Sequence, residues 1–196
     1  MNKSLILIIL TVFIYGCSQT IDTTVNNEPV VENVEQQTTN EQEEVQINSQ
    51  SFDWRESELK DIRTGETFKI NDFKGQVVLI ESFAVWCPTC TRQQLEVKEL
   101  HKEVGDSVVS IALNTDPNED ESKVKSHIDK NGFDWYYAIS SIDTTQSLID
   151  EFGVSIVNAP SAPMVLVCED GNAHFLDRGL KDVDELQSEI ATKCSA

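Results

Sequence analysis

Residues 80–90 read Ile-Glu-Ser-Phe-Ala-Val-Trp-Cys-Pro-Thr-Cys. They follow the apolar run of residues 77–80, and a continuous run of this kind predicts a strand that is covered on both faces. Beyond Cys87, apolar residues recur at helical spacing as far as Gly105, a residue typical of a helix end. Cys87 therefore lies where a buried strand gives way to a helix. A sulfur at that position faces the unpaired N–H groups and the positive end of the helix dipole, which favours the thiolate.

The spacing of the two cysteines in this segment indicates a redox dithiol. Pro88 suits the first helical turn, where a missing N–H leaves no bond unmade. Cys90 follows on the same helix face as Cys87, from which it can attack a mixed disulfide. A zinc site is the alternative, but zinc needs further Cys or His ligands at short spacing, and the other cysteines and histidines are scattered. We therefore predict no metal and no cofactor.

The pattern of residues 51–196 predicts one α/β domain, since strand-like and helix-like segments alternate and a chain of this length suits a single core. Thr64 and Gly65 stand between two short segments, which indicates an N-terminal β-hairpin extension. The other predicted elements are strands at 107–113, 133–139, 164–168 and 173–180, and helices near 124–132, 148–153 and 182–193. Strands that alternate with helices and end in a hairpin predict a mixed central sheet flanked by helices.

The amino terminus has the anatomy of an export signal. Lys3 precedes an apolar run at residues 5–15, and Cys17 follows directly after Gly16. Residues 14–17 resemble the lipobox of prokaryotic lipoproteins, which implies a signal peptide at 1–16 and a lipid on Cys17. Two alternatives remain, an ordinary cleavage site and a permanent membrane anchor, although the apolar run falls short of the roughly 18 to 20 residues that span a bilayer. The expected location is extracytoplasmic, with the chain anchored to the membrane by lipid.

Residues 17–50 read as an acidic, flexible tether. Residues 18–50 contain no Lys or Arg, and their Asp and Glu are spread among Asn, Gln and Thr. Such a polar, like-charged stretch buries too little apolar surface to offset the entropy of ordering. The formal net charge of the whole chain is −19, which argues against a nucleic-acid partner because that surface needs clustered Lys and Arg. Monomer is the default expectation for the domain.

Two segments of the domain resemble a known superfamily. Residues 80–90 resemble the active-site segment of thioredoxins, and residues 163–171, Pro-Met-Val-Leu-Val-Cys-Glu-Asp-Gly, resemble the cis-proline strand and turn of the same proteins. The resemblance spans about residues 52–193 and implies a thioredoxin-like fold. The extra hairpin and the long region 116–134 are more similar to the exported TlpA and ResA branch than to cytoplasmic thioredoxin. The chain is on this ground expected to be a thiol–disulfide oxidoreductase.

The resemblance implies roles for the residues of the dithiol segment. Cys87 is the attacking thiol and Cys90 is the resolving thiol, so the two form the redox disulfide. Trp86 shields the dithiol, although ordinary packing also accounts for a tryptophan there. Trp86 and Pro88 are expected to belong to the substrate-binding surface.

The resemblance also implies two groups that surround the dithiol. Pro163 is expected in the cis form, with the backbone at Ala162 presented to an extended substrate segment. Pro160 is the alternative cis residue. Glu81, six residues before Cys87, matches a buried carboxylate that accepts the proton of the resolving cysteine, and burial raises the pKa of such a group. The alternative for Glu81 is a structural polar residue.

Cys168 and Cys194 are expected to lie near each other. Since the final hairpin returns the chain toward the active-site end, the last helix must run back toward the end where Cys168 lies. A helix of twelve residues spans about 18 Å and a strand of five residues about 17 Å, so the two sulfur atoms can meet. Export favours a structural disulfide between them. The alternative is a buried Cys168 with a free Cys194.

The function implied by the resemblance is reduction of disulfides in exported proteins, with apocytochrome c as a candidate substrate. A membrane thiol-electron carrier similar to DsbD or CcdA recharges the dithiol in that scheme. Net oxidation of exported thiols is an alternative, because the Pro-Thr pair between the cysteines matches neither common family pair and leaves the redox potential unassigned. Copper delivery is a non-enzymatic alternative, but thioredoxin-fold copper chaperones have a longer cysteine spacing and an added His that this chain lacks.

Overall fold

The computed structural model describes residues 52–194. The predicted signal peptide at 1–16 and tether at 17–50, including Cys17, lie outside the described residues. The strands are β1 (Leu59–Lys60), β2 (Thr67–Phe68), β3 (Val77–Phe83), β4 (Val108–Asn114), β5 (Tyr136–Ile139), β6 (Met164–Val167) and β7 (Ala173–Phe175). The α-helices are α1 (Pro88–Val104), α2 (Glu121–Asn131), α3 (Ile142–Phe152) and α4 (Val183–Lys193). Short 3₁₀ helices include Trp54–Glu56, Ile70–Phe73, Val154–Val157 and Ala159–Ser161.

Strand β3 is the centre of a five-stranded sheet in the order β5-β4-β3-β6-β7. Strand β4 pairs in parallel with β3 and β5, whereas β6 pairs antiparallel with β3 and β7. Every residue of β3 is buried, as its continuous apolar run predicts for a strand covered on both faces. The mixed sheet and its flanking helices confirm the predicted α/β architecture.

The predicted N-terminal hairpin is formed by β1 and β2, which pair antiparallel with Leu59 opposite Phe68. The turn between them closes through the N–H of Asp61, which donates to the carbonyl of Glu66 at 2.8 Å. Gly65 has a φ of 79° in this turn, a value that a residue without Cβ adopts at little cost. The hairpin therefore follows from the Thr-Gly signal in the sequence.

Alternate side chains of β3 enter two different cores. Leu79 and Phe83 belong to the core that packs against α1, α2 and α4. Val78 and Ile80 belong to the core that packs against α3 and the N-terminal hairpin. Because strand side chains alternate with a period of two, Glu81 shares the face of Leu79 and Phe83. The fold therefore directs this carboxyl group toward the helix that begins with the dithiol.

The segment that precedes β1 is fixed to α3. Trp54 is buried, its indole N–H donates to Oε2 of Glu151 at 2.8 Å, and its ring packs edge-on against Phe152. Arg55 adds an ion pair with the same carboxylate at 2.6 Å. These contacts place the start of the packed domain at the second core, away from the dithiol helix.

Candidate active site

The first turn of α1 holds the two cysteines of the predicted dithiol. Cys87 is the N-cap of the helix, and its sulfur accepts the N–H of Cys90 at 3.1 Å. Pro88 occupies the first turn, where its missing N–H has no helical partner to lose. Both thiols are free, and their residues are 1% and 0% exposed. The strand-to-helix junction thus brings the two sulfur atoms together on one helical turn.

One backbone carbonyl lies against both thiols. The carbonyl oxygen of Ala159 is 3.3 Å from Sγ of Cys87 and 3.1 Å from Sγ of Cys90. Ala159 begins a short 3₁₀ helix, and the same oxygen also accepts the N–H of Ala162 at 2.9 Å. Sequence reasoning missed this acceptor because a backbone carbonyl has no side-chain signature. When the Cys87–Cys90 disulfide forms, both S–H groups are lost and the carbonyl of Ala159 no longer accepts a hydrogen bond from either sulfur.

The buried Cys90 thiol resists ionisation. Burial raises the pKa of Cys90 far above the usual value of a thiol, and the charge of Glu81 and the hydrogen bond with Cys87 raise it further. Only a thiolate is an effective nucleophile in disulfide exchange. A base must therefore take the proton of Cys90 before this cysteine can attack.

Glu81 is a buried carboxyl group on the face of β3 that packs against α1. It is 3% exposed, and its neighbours on the adjacent strands are Ala112 and Met164, both apolar. Burial raises the pKa of Glu81 well above its usual range, and the amide of Gln94 opposes the shift only in part. Its Oε1 is buried without a hydrogen-bond partner. The charge of Glu81 is one of the causes that raise the pKa of Cys90.

Trp86 lies at the surface beside the dithiol and is 59% exposed. Its indole N–H donates to Oδ2 of Asp116 at 2.6 Å, and this bond lowers the pKa of Asp116. The N–H of Val85 donates to Oε2 of Glu119 at 2.8 Å. Two carboxylates of the β4–α2 loop therefore hold the segment before Cys87, while much of the indole remains in contact with solvent.

The loop before β6 differs from the expectation. Every peptide bond that the structure describes is trans, so the predicted cis bond at Pro163, and its alternative at Pro160, are wrong. The chain turns instead at Ala162, whose left-handed backbone has φ 44° and ψ 60°. Ala162 is fully buried and its N–H is already bonded to Ala159, so this N–H is not presented to a substrate. The carbonyl of Pro163 accepts the N–H of Ser82 at 3.1 Å and continues the pairing with β3.

Cys168 and Cys194 are bonded to each other, with Cα atoms 5.1 Å apart. Cys168 directly follows β6, and Cys194 is the C-cap of α4. Because β6 runs antiparallel to β3, this disulfide lies at the opposite end of the sheet from the dithiol. Of the two predicted arrangements, the structure therefore adopts the bonded one.

Within residues 52–194, no group of three or more His, Cys, Asp or Glu side chains is placed to hold a metal ion. Two histidines bond instead to neighbouring side chains, His101 to Ser110 at 2.8 Å and His127 to Gln94 at 2.7 Å. No helix in this part of the chain has the length and apolar character needed to cross a bilayer.

Comparison with known proteins gives two relatives of similar sequence. The chain is 31% identical over 103 residues to thioredoxin-like protein YneN of Bacillus subtilis (strain 168), which covers 46% of this chain and 60% of that protein. It is 26% identical over 113 residues to thiol-disulfide oxidoreductase ResA of Halalkalibacterium halodurans, covering 58% of this chain and 59% of that protein. The matched region thus spans about three fifths of the length of these curated relatives.

A solved structure and a family match extend the comparison. The fold resembles that of StoA from Bacillus subtilis with a TM-score of 0.52 at 20% identity, covering 67% of this chain and 93% of that chain. This likeness confirms the thioredoxin-like fold. Residues 38–188, well over half of the chain, match the Redoxin family. With this match and the geometry of its two cysteines, the chain belongs to the Redoxin family.

Proposed function

We propose that this chain is an extracytoplasmic thiol–disulfide oxidoreductase that reduces disulfides in exported proteins. The observation that carries the proposal is a pair of free cysteines, Cys87 and Cys90, at the start of α1 with a buried glutamate facing the same helix. The similarity to ResA supports the activity, since that relative is described as a thiol-disulfide oxidoreductase.

Exchange begins at Cys87. Its thiolate attacks one sulfur of the substrate disulfide, which forms a mixed disulfide and releases the other substrate sulfur as a thiolate. The N–H of Cys90 and the positive end of the α1 dipole stabilise negative charge on the attacking sulfur. Cys87 is almost fully buried and its Sγ contacts the carbonyl of Ala159, so the substrate must displace part of the packing around the sulfur to reach it. Trp86 and Pro88 border the sulfur and form the contact surface for the substrate.

Cys90 completes the exchange. Glu81, as a carboxylate, takes the proton of Cys90, and the resulting thiolate attacks Sγ of Cys87. The Cys87–Cys90 disulfide forms, and the second substrate sulfur leaves as a thiolate that takes a proton from solvent. Two electrons pass from the dithiol to the substrate. An external dithiol must return them before the next cycle, and we assign that role to a membrane thiol-electron carrier similar to DsbD or CcdA.

The location follows from the N-terminal sequence. After removal of residues 1–16, a lipid on Cys17 anchors the chain, and the acidic residues 17–50 separate the domain at 51–196 from the membrane surface. Exported proteins with oxidised cysteine pairs, apocytochrome c among them, are the proposed substrates. Mass spectrometry of the mature N-terminus tests the anchor, because an unmodified Cys17 contradicts it.

Substrate trapping in the native membrane tests the exchange. A Cys90→Ser chain cannot resolve its mixed disulfide, so partners are expected to accumulate on Cys87 and to be released by reductant. The matched control carries Cys87→Ser as well and is expected to trap nothing. Equal trapping by the two chains overturns the proposal. Alkylation of the parent chain in intact cells then gives the direction, since a mainly reduced dithiol supports reduction and a mainly oxidised one supports net oxidation.

A further inference from the structure

Helix α1 carries a buried amide, Gln94, one turn after the resolving cysteine. Gln94 is fully buried, and helical spacing places it on the same face as Cys90 and Val97, toward β3. An amide in an apolar interior is costly unless its polar atoms are hydrogen-bonded. The partners of Gln94 therefore indicate why this position is polar.

The oxygen of Gln94 is held by two donors. Nε2 of His127 on α2 lies 2.7 Å from Oε1 of Gln94, and the hydroxyl of Tyr137 on β5 donates to the same oxygen at 3.2 Å. Asn131 directs its amide nitrogen at Nδ1 of His127 from 3.4 Å, so the imidazole accepts through Nδ1 and donates through Nε2. Burial lowers the pKa of His127, which keeps the ring neutral. These two bonds fix the orientation of the Gln94 amide.

The nitrogen of Gln94 has no partner in this state. Nε2 of Gln94 and Oε1 of Glu81 are both buried without a hydrogen bond. The two groups lie on facing surfaces, because Glu81 is on the face of β3 that packs against α1 and Gln94 is on the face of α1 toward β3. In keeping with this placement, the amide of Gln94 lowers the pKa of Glu81 against the effect of burial. Nε2 of Gln94 is a donor and Oε1 of Glu81 is an acceptor, so the two can form one hydrogen bond with each other. That bond is strongest when the acceptor is an ionised carboxylate.

We propose that Gln94 is the positioning residue of the resolving step: held by His127 and Tyr137, its amide N–H supports the carboxylate of Glu81 until Glu81 takes the proton of Cys90. This inference rests on the proposed exchange function. In this step the S–H bond of Cys90 breaks and an O–H bond forms on Glu81, and no bond between heavy atoms changes. The proton moves from Sγ of Cys90 to Glu81, and the Gln94 bond weakens as the carboxylate is neutralised.

The other groups around Glu81 do not supply the same support. Its neighbours on β4 and β6, Ala112 and Met164, have no side-chain donor. The titratable groups that face it are Cys90 from α1 and Tyr137 from β5, and burial followed by the charge of Glu81 raises the pKa of both. Cys90 is the proton source, and the hydroxyl of Tyr137 is already directed at Gln94.

A coloured aromatic disulfide, dithiobis-nitrobenzoate, separates the two chemical steps. Attack by Cys87 releases one coloured thiolate, and resolution by Cys90 releases the second. The full chain is used with Cys17→Ser, which leaves the dithiol as the only free thiols. In Gln94→Met, the side chain keeps its length but loses its donor. The second release is expected to slow about tenfold at neutral pH, with the first release unchanged.

A Glu81→Gln background separates this role from a merely structural one. Without a carboxylate to support, Gln94→Met is expected to add no further slowing to the second release. Equal slowing in both backgrounds overturns the inference. In the parent background, the pH at which the second release becomes half-maximal is expected to rise in Gln94→Met, because Glu81 loses a donor that lowers its pKa. An unchanged pH profile also overturns the inference.

Tyr137→Phe supplies a variant for the case in which Gln94→Met does not fold. It keeps the aromatic ring and removes one of the two donors that orient Gln94, so a two- to threefold slowing of the second release is expected, on the order of one weak hydrogen bond. No slowing contradicts the inference. Failure of the parent chain to give any first release refutes the exchange function itself, which keeps the two failures distinct.

Discussion

The chain contains two cysteine pairs at opposite ends of one sheet. Cys87 is the N-cap of α1, at the positive end of the helix dipole, whereas Cys194 is the C-cap of α4, at the negative end. The first pair is free and lies at the start of the helix that packs on the face of β3 carrying Glu81, while the second is bonded across 26 residues of sequence. The comparison teaches that the placement of each sulfur in the fold, and not the thiol group itself, separates an exchanging pair from a structural one.

The largest effect is expected from breaking the first pair. Cys87→Ser removes the attacking thiolate, and a hydroxyl does not replace it, so the rate of reduction of a peptide disulfide should fall more than about a thousandfold. The matched control is Cys168→Ser with Cys194→Ser, which should keep the rate within about twofold after correction for folded protein. Comparable losses in both chains would show that the two pairs do not have separate roles.

Breaking the second pair should change stability and not chemistry. The disulfide closes a loop across 26 residues, and restricting the unfolded chain to that extent contributes roughly 3 kcal/mol. Urea unfolding of the Cys168→Ser, Cys194→Ser chain is expected to give a free energy of unfolding lower by that amount. The same measurement on Cys87→Ser serves as control and should show a much smaller loss. An unchanged free energy in the double variant would falsify the stabilising role.

Glu81 sharpens the comparison of the two pairs, because ionisation of this buried carboxyl near the dithiol lowers the free energy of unfolding. Folding raises the pKa of Glu81 above its usual value of 4.5. Glu81 therefore does not lower the free energy of unfolding below pH 4.5, and it lowers that free energy progressively as the pH rises from 4.5 toward the folded pKa. Glu81→Gln should therefore raise the free energy of unfolding at pH 8 by about 1 kcal/mol or more, and by much less at pH 4. Chemical unfolding at the two pH values measures this. An equal gain at both contradicts a buried, ionising carboxyl.

The smallest expected effect concerns the surface of the dithiol end. The bond from Trp86 lowers the pKa of Asp116, so its contribution is present above the usual value of 3.8 and is lost as pH falls. Trp86 is exposed and Asp116 is only partly buried, so Asp116→Asn should cost only a few tenths of a kcal/mol. The indole N–H signal of Trp86 in NMR should titrate below pH 3.8 in the parent chain and show no such titration in Asp116→Asn. Identical titrations in the parent chain and in Asp116→Asn would show that the indole N–H of Trp86 is not bonded to Asp116.

Local sequence patterns account for most of the fold. The apolar run of β3, the N-cap and proline at the start of α1, and Gly65 in the hairpin turn are short-range signals, and each was followed by the predicted element. The ends of strands were less predictable. Strand β7 ends at Phe175 although the pattern continues to residue 180, because pairing with β6 stops there.

The candidate site was predicted less completely than the fold. The sequence did not indicate the groups whose importance depends on their position in the fold. The carbonyl of Ala159 contacts both sulfur atoms, and the carboxylates of Asp116 and Glu119 bind the segment before Cys87. The amide of Gln94 is buried in the same core as Glu81. For two of these residues, Gln94 and Asp116, the sequence does contain a signal. A polar residue four positions after Cys90 interrupts an apolar helix face, and an acidic residue just after a strand parallel to β3 lies at the same edge of the sheet.

The expected cis proline shows the limit of resemblance. A segment similar to that of relatives implies a similar loop, but in this chain the reversal is made by the left-handed backbone of Ala162, and the following bond is trans. The loop still carries a carbonyl to the dithiol. The carbonyl belongs to Ala159, three residues earlier than the position that the resemblance indicates.

By itself, the sequence determined the dithiol, its place between a buried strand and a helix, and the α/β order of the domain, because these depend on residues within a few positions of one another. Only the tertiary structure decided that Cys168 reaches Cys194, that Ala159 faces both thiols and that Gln94 and Glu81 are both buried between α1 and β3. Those contacts join distant segments, and their geometry depends on how strands and helices pack. Charge, burial and proton transfer at this site are properties of that packing.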